Sequence, residues 1–209
     1  TDNFVGLGKK VYFKGVIDGG NYTITIPTAA PFIYSSVGSV IKDLNVDVKA
    51  SSISLTSNSS TISKYLTDGD GNTPFYGGII GIVNGGDNII DNVGITFSNG
   101  TTISVTKTSY YKGNIAIGGY IGVVRYGGVI FRNMDSVENK TGLTTGICSD
   151  VGDIITNSVY LYQNPIIGRV IDGYAVTESD SYESREENVT MKNGTKNYSI
   201  ADIKSTDGY

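Results

Sequence analysis

Apolar and polar residues alternate over short stretches along most of the chain. Tyr22-Thr23-Ile24-Thr25-Ile26, Ile53-Ser54-Leu55, Ile95-Thr96-Phe97, Ile103-Ser104-Val105 and Ile115-Ala116-Ile117 all follow this pattern. A period of two puts alternate side chains on one face of a strand. The β-branched residues in these stretches suit a pleated, half-buried surface. Gly, Asn and Asp separate the stretches and supply the conformations that tight corners need. No segment holds a helical period for about twelve residues, so the pattern predicts strand after strand.

The strands recur as a unit. Gly77-Gly78-Ile79-Ile80-Gly81-Ile82-Val83 is matched 41 residues later by Gly118-Gly119-Tyr120-Ile121-Gly122-Val123-Val124. At the same offset Asn88-Ile89-Ile90-Asp91-Asn92-Val93 aligns with Val129-Ile130-Phe131-Arg132-Asn133-Met134. A weaker copy lies earlier, at Pro31-Phe32-Ile33 and Ser39-Val40-Ile41-Lys42-Asp43-Leu44, and a later one at Pro165-Ile166-Ile167-Gly168-Arg169-Val170. A sandwich or barrel has independent strands, whereas a solenoid repeats one unit that buries its inner face against the next. The fold expected is therefore all-β, a right-handed parallel β-helix (β-solenoid), with Ile80, Ile89, Ile121, Ile130 and Ile167 pointing inward. A repeat this long reads as two coils, giving about eight or nine coils stacked ~4.8 Å apart in a rod roughly 40 Å long.

Phe13-Lys14-Gly15-Val16-Ile17-Asp18-Gly19-Gly20-Asn21-Tyr22-Thr23-Ile24 resembles the F-x-G-x-x-D-G-x-x-x-x-I opening of pectate-lyase-like right-handed β-helices. The Gly-Gly-x-Ile-Gly blocks followed by Ile-x-Asn-Val resemble GLUG-type repeats. Asn164 to Tyr174 and Asn193 to Ile200 are similar to the closing part of such modules. The resemblance implies a β-helix of the kind found in bacterial surface proteins, adhesins and giant-virus surface proteins. Its motifs consist of turn glycines and core aliphatics, which specify fold rather than function.

Composition narrows the function. Only 17% of the 209 residues are charged, against 28 Gly and 15 Tyr. A surface covered by Ser, Thr, Asn, Gly and Tyr suits an extracellular protein. The net charge of −4 and the scattered 16 basic residues argue against nucleic acid, which needs clustered Lys and Arg. No apolar run is long enough to span a membrane, so no membrane insertion is expected. The chain opens at Thr1 with no signal segment, which reads as a processed product or a piece of something larger. Cys148 is the only cysteine and reads as a small buried hydrophobe.

The candidate chemistry is sparse. With no histidine there is no Ser-His-Asp or Cys-His pair, and one cysteine makes no zinc site. The Gly-Gly pairs precede no helix, so they read as corners rather than phosphate loops. The alternative function is a carbohydrate-active enzyme, a polysaccharide lyase or glycoside hydrolase on a β-helix scaffold. Hydrolysis needs two facing carboxylates, for which Asp87, Asp91 and Asp135 are candidates. Lyase chemistry, as the resemblance implies it, wants a cationic base, for which Arg125, Arg132 and Arg169 are candidates. Arg132 aligns with Asp91 and Lys42, a column that behaves like a solvent-facing one, and the signatures of the pectin-degrading families are missing. No catalytic residue is assigned.

Asp68-Gly69-Asp70-Gly71-Asn72 has the spacing of a calcium loop, with Asp68, Asp70 and Asn72 as ligands. A polar turn explains the same residues, so no cofactor is required and calcium is the one alternative. Tyr110, Tyr111, Tyr120 and Tyr126 are the candidate ligand-binding residues, since a phenol ring offers an apolar face and a hydroxyl to a glycan or a protein. Seven N-x-[ST] sequons begin at Asn21, Asn58, Asn99, Asn139, Asn188, Asn193 and Asn197.

The expected organisation is a β-solenoid over 1–177, with an N-terminal cap at 1–15 and an acidic C-terminal cap or docking segment at 178–209. Ligand contacts would fall on the lateral loops Ser57–Thr73 and Thr106–Tyr111. The function expected is a non-catalytic structural or adhesive module on a bacterial cell surface or a large-virus particle. Its partners would be neighbouring domains or subunits of the assembly, and glycans.

Overall fold

In a computed structural model the chain is described over residues 4–57, 75–97, 102–107, 115–133, 161–164, 167–171 and 173–177, with short strands at 182–183, 190–192, 195–197 and 204–205. All regular elements among the described residues are strands. They are β1 (Val16–Ile26), β2 (Ile33–Ser36), β3 (Val40–Val48), β4 (Ser52–Ser57), β5 (Phe75–Gly77), β6 (Ile80–Phe97), β7 (Thr102–Lys107), β8 (Ile115–Gly118), β9 (Ile121–Arg132), β10 (Leu161–Asn164), β11 (Ile167–Val170) and β12 (Tyr174–Thr177).

All pairings among these twelve strands are parallel. The largest sheet runs β1-β3-β6-β9-β11, with β2 beside β6 and β12 beside β9. A second sheet carries β5, β8 and β10, and β4 pairs with β7. The aligned sequence blocks lie side by side. Ile33 faces Ile80, Ile80 faces Ile121, and Ile121 faces Ile167. Each repeat therefore advances the chain by one strand spacing, not by the two coils expected from its length. The residues are used up within one row. A short strand precedes the Gly-Gly pair, and the long strand after it bends at the irregular register around Asn84 and Asp87, so its two halves pair along separate lines.

The inward side chains form columns. Ile41, Ile90 and Phe131 are in register and buried, as are Leu44 with Val93, Val46 with Ile95, and Val48 with Phe97. Burying one such aliphatic contributes roughly 1.5–3 kcal/mol. Ile80, Ile121 and Ile167 point inward as expected, at 0%, 0% and 4% exposure. Ile89 and Ile130 do not. Both are half-buried, and their neighbours Ile90 and Phe131 take the core positions. In β6 the buried, hydrogen-bonded Asn88 occupies the inward position two residues before Ile90, and in β9 the strand keeps the same phase with Val129 inward, in register with Asn88.

The Gly-Gly-x-Ile-Gly signature also has a packing cause. A Cβ on Gly118 would lie 1.8 Å from the Ile121 carbonyl oxygen and 2.7 Å from the Gly168 nitrogen. One on Gly122 would meet the Gly81 oxygen at 2.5 Å and the Tyr76 backbone at 2.9 Å. The first and last glycines of the motif thus let two sheets meet backbone to backbone at the corner.

The N-terminal segment runs along the edge of β2. Leu7 bridges Ile33 and Phe13 bridges Ser36, both in parallel sense, while Phe4 and Phe13 pack against the core.

Candidate functional site

Three polar features run across the rows. The first is a buried cluster around Asn88. Its side-chain oxygen accepts from Ser36 Oγ at 2.6 Å, from the Ser39 amide at 3.1 Å and from Ser39 Oγ at 3.1 Å. Its amide nitrogen faces the carbonyl oxygens of Gly85, Gly86 and Gly128 at 3.2, 3.1 and 3.2 Å. One side chain thus joins the row before it, its own row and the row after it. Ser36, Ser39 and Asn88 are all 0% exposed, and a buried polar group is tolerated only when it is bonded in this way.

The second feature is a corner of residues with left-handed backbone: Asn21 (φ 62°), Asp43 (φ 49°), Asn92 (φ 49°) and Asn133 (φ 49°). Asn and Asp accept this conformation more readily than other non-glycine residues. Their side chains bond along the stack. Asn92 Nδ2 donates to Asp43 Oδ1 at 2.8 Å and to Asn21 Oδ1 at 3.3 Å, and Asn133 Nδ2 donates to Asp91 Oδ1 at 2.7 Å.

The third is a charged column on the outer face. Asp18 faces Lys42, Lys42 faces Asp91, and Asp91 faces Arg132, so the sign alternates at every step. Lys42 Nζ lies 2.8 Å from Asp18 Oδ2. That contact holds the Asp18 carboxyl below its ordinary pKa and the Lys42 amine above its own. Both groups are exposed, so the pair stabilises little by itself.

The candidate ligand-binding tyrosines separate. Tyr120 is fully buried, and its hydroxyl donates to the Val93 carbonyl at 2.9 Å. It takes the core place that Ile79 holds in the preceding repeat, an equivalence already visible in the aligned blocks, so a surface ligand does not reach it. Tyr126 is 43% exposed, and the Arg125 guanidinium lies over its ring at 4.7 Å. Tyr110 and Tyr111 lie outside the described residues, as do Asp68, Asp70 and Asn72 of the calcium spacing, Asp135, Cys148 and most of both lateral loops.

The carboxylates named for hydrolysis are held apart in role. Asp87 accepts a hydrogen bond from the Tyr174 hydroxyl, whereas Asp91 belongs to the charged column. Arg125 and Arg169 are 6% exposed, and Arg132 lies in the charged column. Among the described residues no group of three His, Cys, Asp or Glu side chains converges on a metal position, and no helix is long and apolar enough to cross a membrane. Of the seven sequon asparagines, Asn21 is described with its side chain, exposed and in the left-handed corner.

Sequence reasoning missed Tyr174. Its ring lies against Gly128, where a Cβ would come within 2.1 Å of it. Burial first, and then the Asp87 hydrogen bond and charge, push its hydroxyl up to about 12. Burial also raises the hydroxyls of Tyr76 and Tyr120 above the ordinary tyrosine range. A group whose pKa is higher in the folded than in the unfolded chain holds its proton more tightly when folded. The stability it contributes is complete below about pH 10 and is lost as the pH rises through the folded value. Urea midpoints are therefore expected to stay level from pH 7 to 9 and to fall above pH 10. Tyr174→Phe should fall less steeply, and equal slopes for the two proteins would exclude Tyr174 as a contributor.

Comparison with family models, with curated proteins and with solved structures finds no match to this chain.

Proposed function

We propose that the chain is a right-handed parallel β-solenoid that serves as a non-catalytic structural or adhesive module of an extracellular surface assembly, on a bacterial cell or a large-virus particle. The observation that carries this reading is the stacking of equivalent residues. Aliphatics stack on aliphatics and charges of alternating sign face one another from row to row, the buried Asn88 bonds to the rows on both sides, and the left-handed Asn92 bonds to Asp43 at the same corner of the row before it. Side chains arranged this way hold a shape, and the shape is what a spacer or display element supplies. Crossovers between parallel strands of one sheet are right-handed in about 98% of cases, which supports the hand. The segment over 1–15 acts as a cap, in keeping with its course along the β2 edge, and 178–209 acts as a second cap or docking element. Ligands, glycans among them, meet the lateral surface, where Tyr126 offers a ring.

The test of function is a release assay with the purified chain on pectin, alginate, mucin and glycosaminoglycans. No soluble oligosaccharide is expected from any of them. Turnover abolished by one carboxylate or arginine substitution would show a carbohydrate-active enzyme instead.

A further inference from the structure

Among the described residues the core is open at β1. Ile17 shares a column with Ile41, Ile90 and Phe131, Tyr22 with Leu44 and Val93, and Ile24 with Val46 and Ile95. Leu44 and Val46 are each 1% exposed, and Val93 and Ile95 are 0% and 1% exposed. Yet Tyr22 is 78% exposed and Ile24 37%. The Leu44 and Val46 columns, dry in the following rows, are therefore wet in β1, while Ile17 is half-buried against the core and Ile26 is buried. Among the described residues β1 pairs only with β3, and the N-terminal segment covers β2 instead. From Asn21 to Ile26 the strand is uncharged, rich in β-branched residues and free of proline. An edge of that kind is competent to accept another strand.

The columns also say what would fit. The outer column alternates Asp18, Lys42, Asp91, Arg132, so Lys42 has an acid on each side while Asp18 has a cation on one side only. A strand added in the same parallel register continues the alternation if it carries a cation opposite Asp18. It completes the core if it carries aliphatic residues opposite Ile17, Tyr22 and Ile24.

We propose that the free edge of β1 docks a parallel β-strand of a partner polypeptide, one with Lys or Arg opposite Asp18 and aliphatic residues opposite Ile17, Tyr22 and Ile24. Main-chain hydrogen bonds supply the affinity of such strand addition, and the alternate side chains supply its specificity. The inference rests on the stacked-row architecture of the proposed function and names the partner chemistry of the resulting assembly.

The probe is a labelled synthetic peptide with the sequence of Val40–Val48, which carries lysine at the required place and already pairs with β1 in this sense. Fluorescence anisotropy with the whole protein should show saturable binding. Replacing the peptide lysine by aspartate, which turns a weak attraction into a repulsion, should weaken it by about threefold to tenfold, and Asp18→Lys in the protein should reverse that preference. Tyr22→Lys, at a position open to solvent, should weaken binding of the original peptide with the far-ultraviolet circular dichroism unchanged. Absence of saturable binding, or affinity indifferent to both charge changes, overturns the proposal. So does a dimer of this chain, seen by light scattering without peptide and lost in Tyr22→Lys, because the edge would then serve a second copy. Polysaccharide release would overturn the functional reading and leave this result standing.

Discussion

Replacing Asn88 by valine is expected to cost roughly 3–5 kcal/mol of stability, although valine is the residue that the next row carries in the same column. Val129 is in register with Asn88 and is fully buried, so a valine side chain is compatible with that column. What the substitution removes is the acceptor for Ser36 and Ser39 and the donor to Gly85, Gly86 and Gly128. Each buried polar group left without a partner costs about 1–3 kcal/mol. Several are orphaned together, and partial relaxation keeps the total below their sum. Asn88→Asp should be at least as harmful, because it sets a charge among carbonyl oxygens. Ser36→Ala should lose only about 1 kcal/mol, since the Ser39 amide and hydroxyl still reach the acceptor. The measurement is the urea midpoint of the three variants. A loss under about 1 kcal/mol for Asn88→Val would mean that the cluster does not tie the rows together.

The second large effect concerns the corner glycines. Gly118→Ala is expected to destabilise by more than about 4 kcal/mol, the range reserved for gross steric or buried polar defects. Both atoms that its Cβ would strike belong to the backbone, the Ile121 oxygen and the Gly168 nitrogen, so no side chain can swing aside. Gly38 provides the contrast. Its backbone is left-handed at φ +62°, but the nearest atom to a Cβ there is Gly86 Cα at 4.0 Å. Gly38→Ala therefore meets only the left-handed penalty, about 1–2 kcal/mol. Soluble yield and urea midpoint read both variants. Similar losses in the two would show that backbone conformation, not the meeting of two sheets, selects glycine at Gly118.

Much of the strand order was legible in the sequence because equivalent residues pair directly. The 41-residue offset between Gly78 and Gly119 reappears as the register of β6 on β9. The number of coils per repeat was not legible, since length alone does not reveal that one long strand bends and serves two pairing lines. The phase of the second strand was hidden for a different reason. Asn88-Ile89-Ile90 offers two adjacent aliphatics, and hydrophobicity cannot choose between them. The choice belongs to a polar residue that bonds across rows, which no pattern of apolar positions reports. Tyr120 was readable as core from its alignment with Ile79, whereas its phenol chemistry pointed to the surface. Tyr174 carried no local signal, because its partners Asp87 and Gly128 lie far away in sequence.

The direction of the ladders has a mechanical consequence. Main-chain hydrogen bonds between parallel rows lie across the strands, so a pull along the stack loads one row boundary after another, in series. A pull along the strands loads every bond of a ladder at once, in shear. The two directions therefore differ in yield force even though the same bonds are stretched. Peeling started at β1 meets only the β1–β3 ladder at first. It then reaches the rows that Asn88 joins, where freeing the row before it also breaks the buried bonds to Ser36 and Ser39.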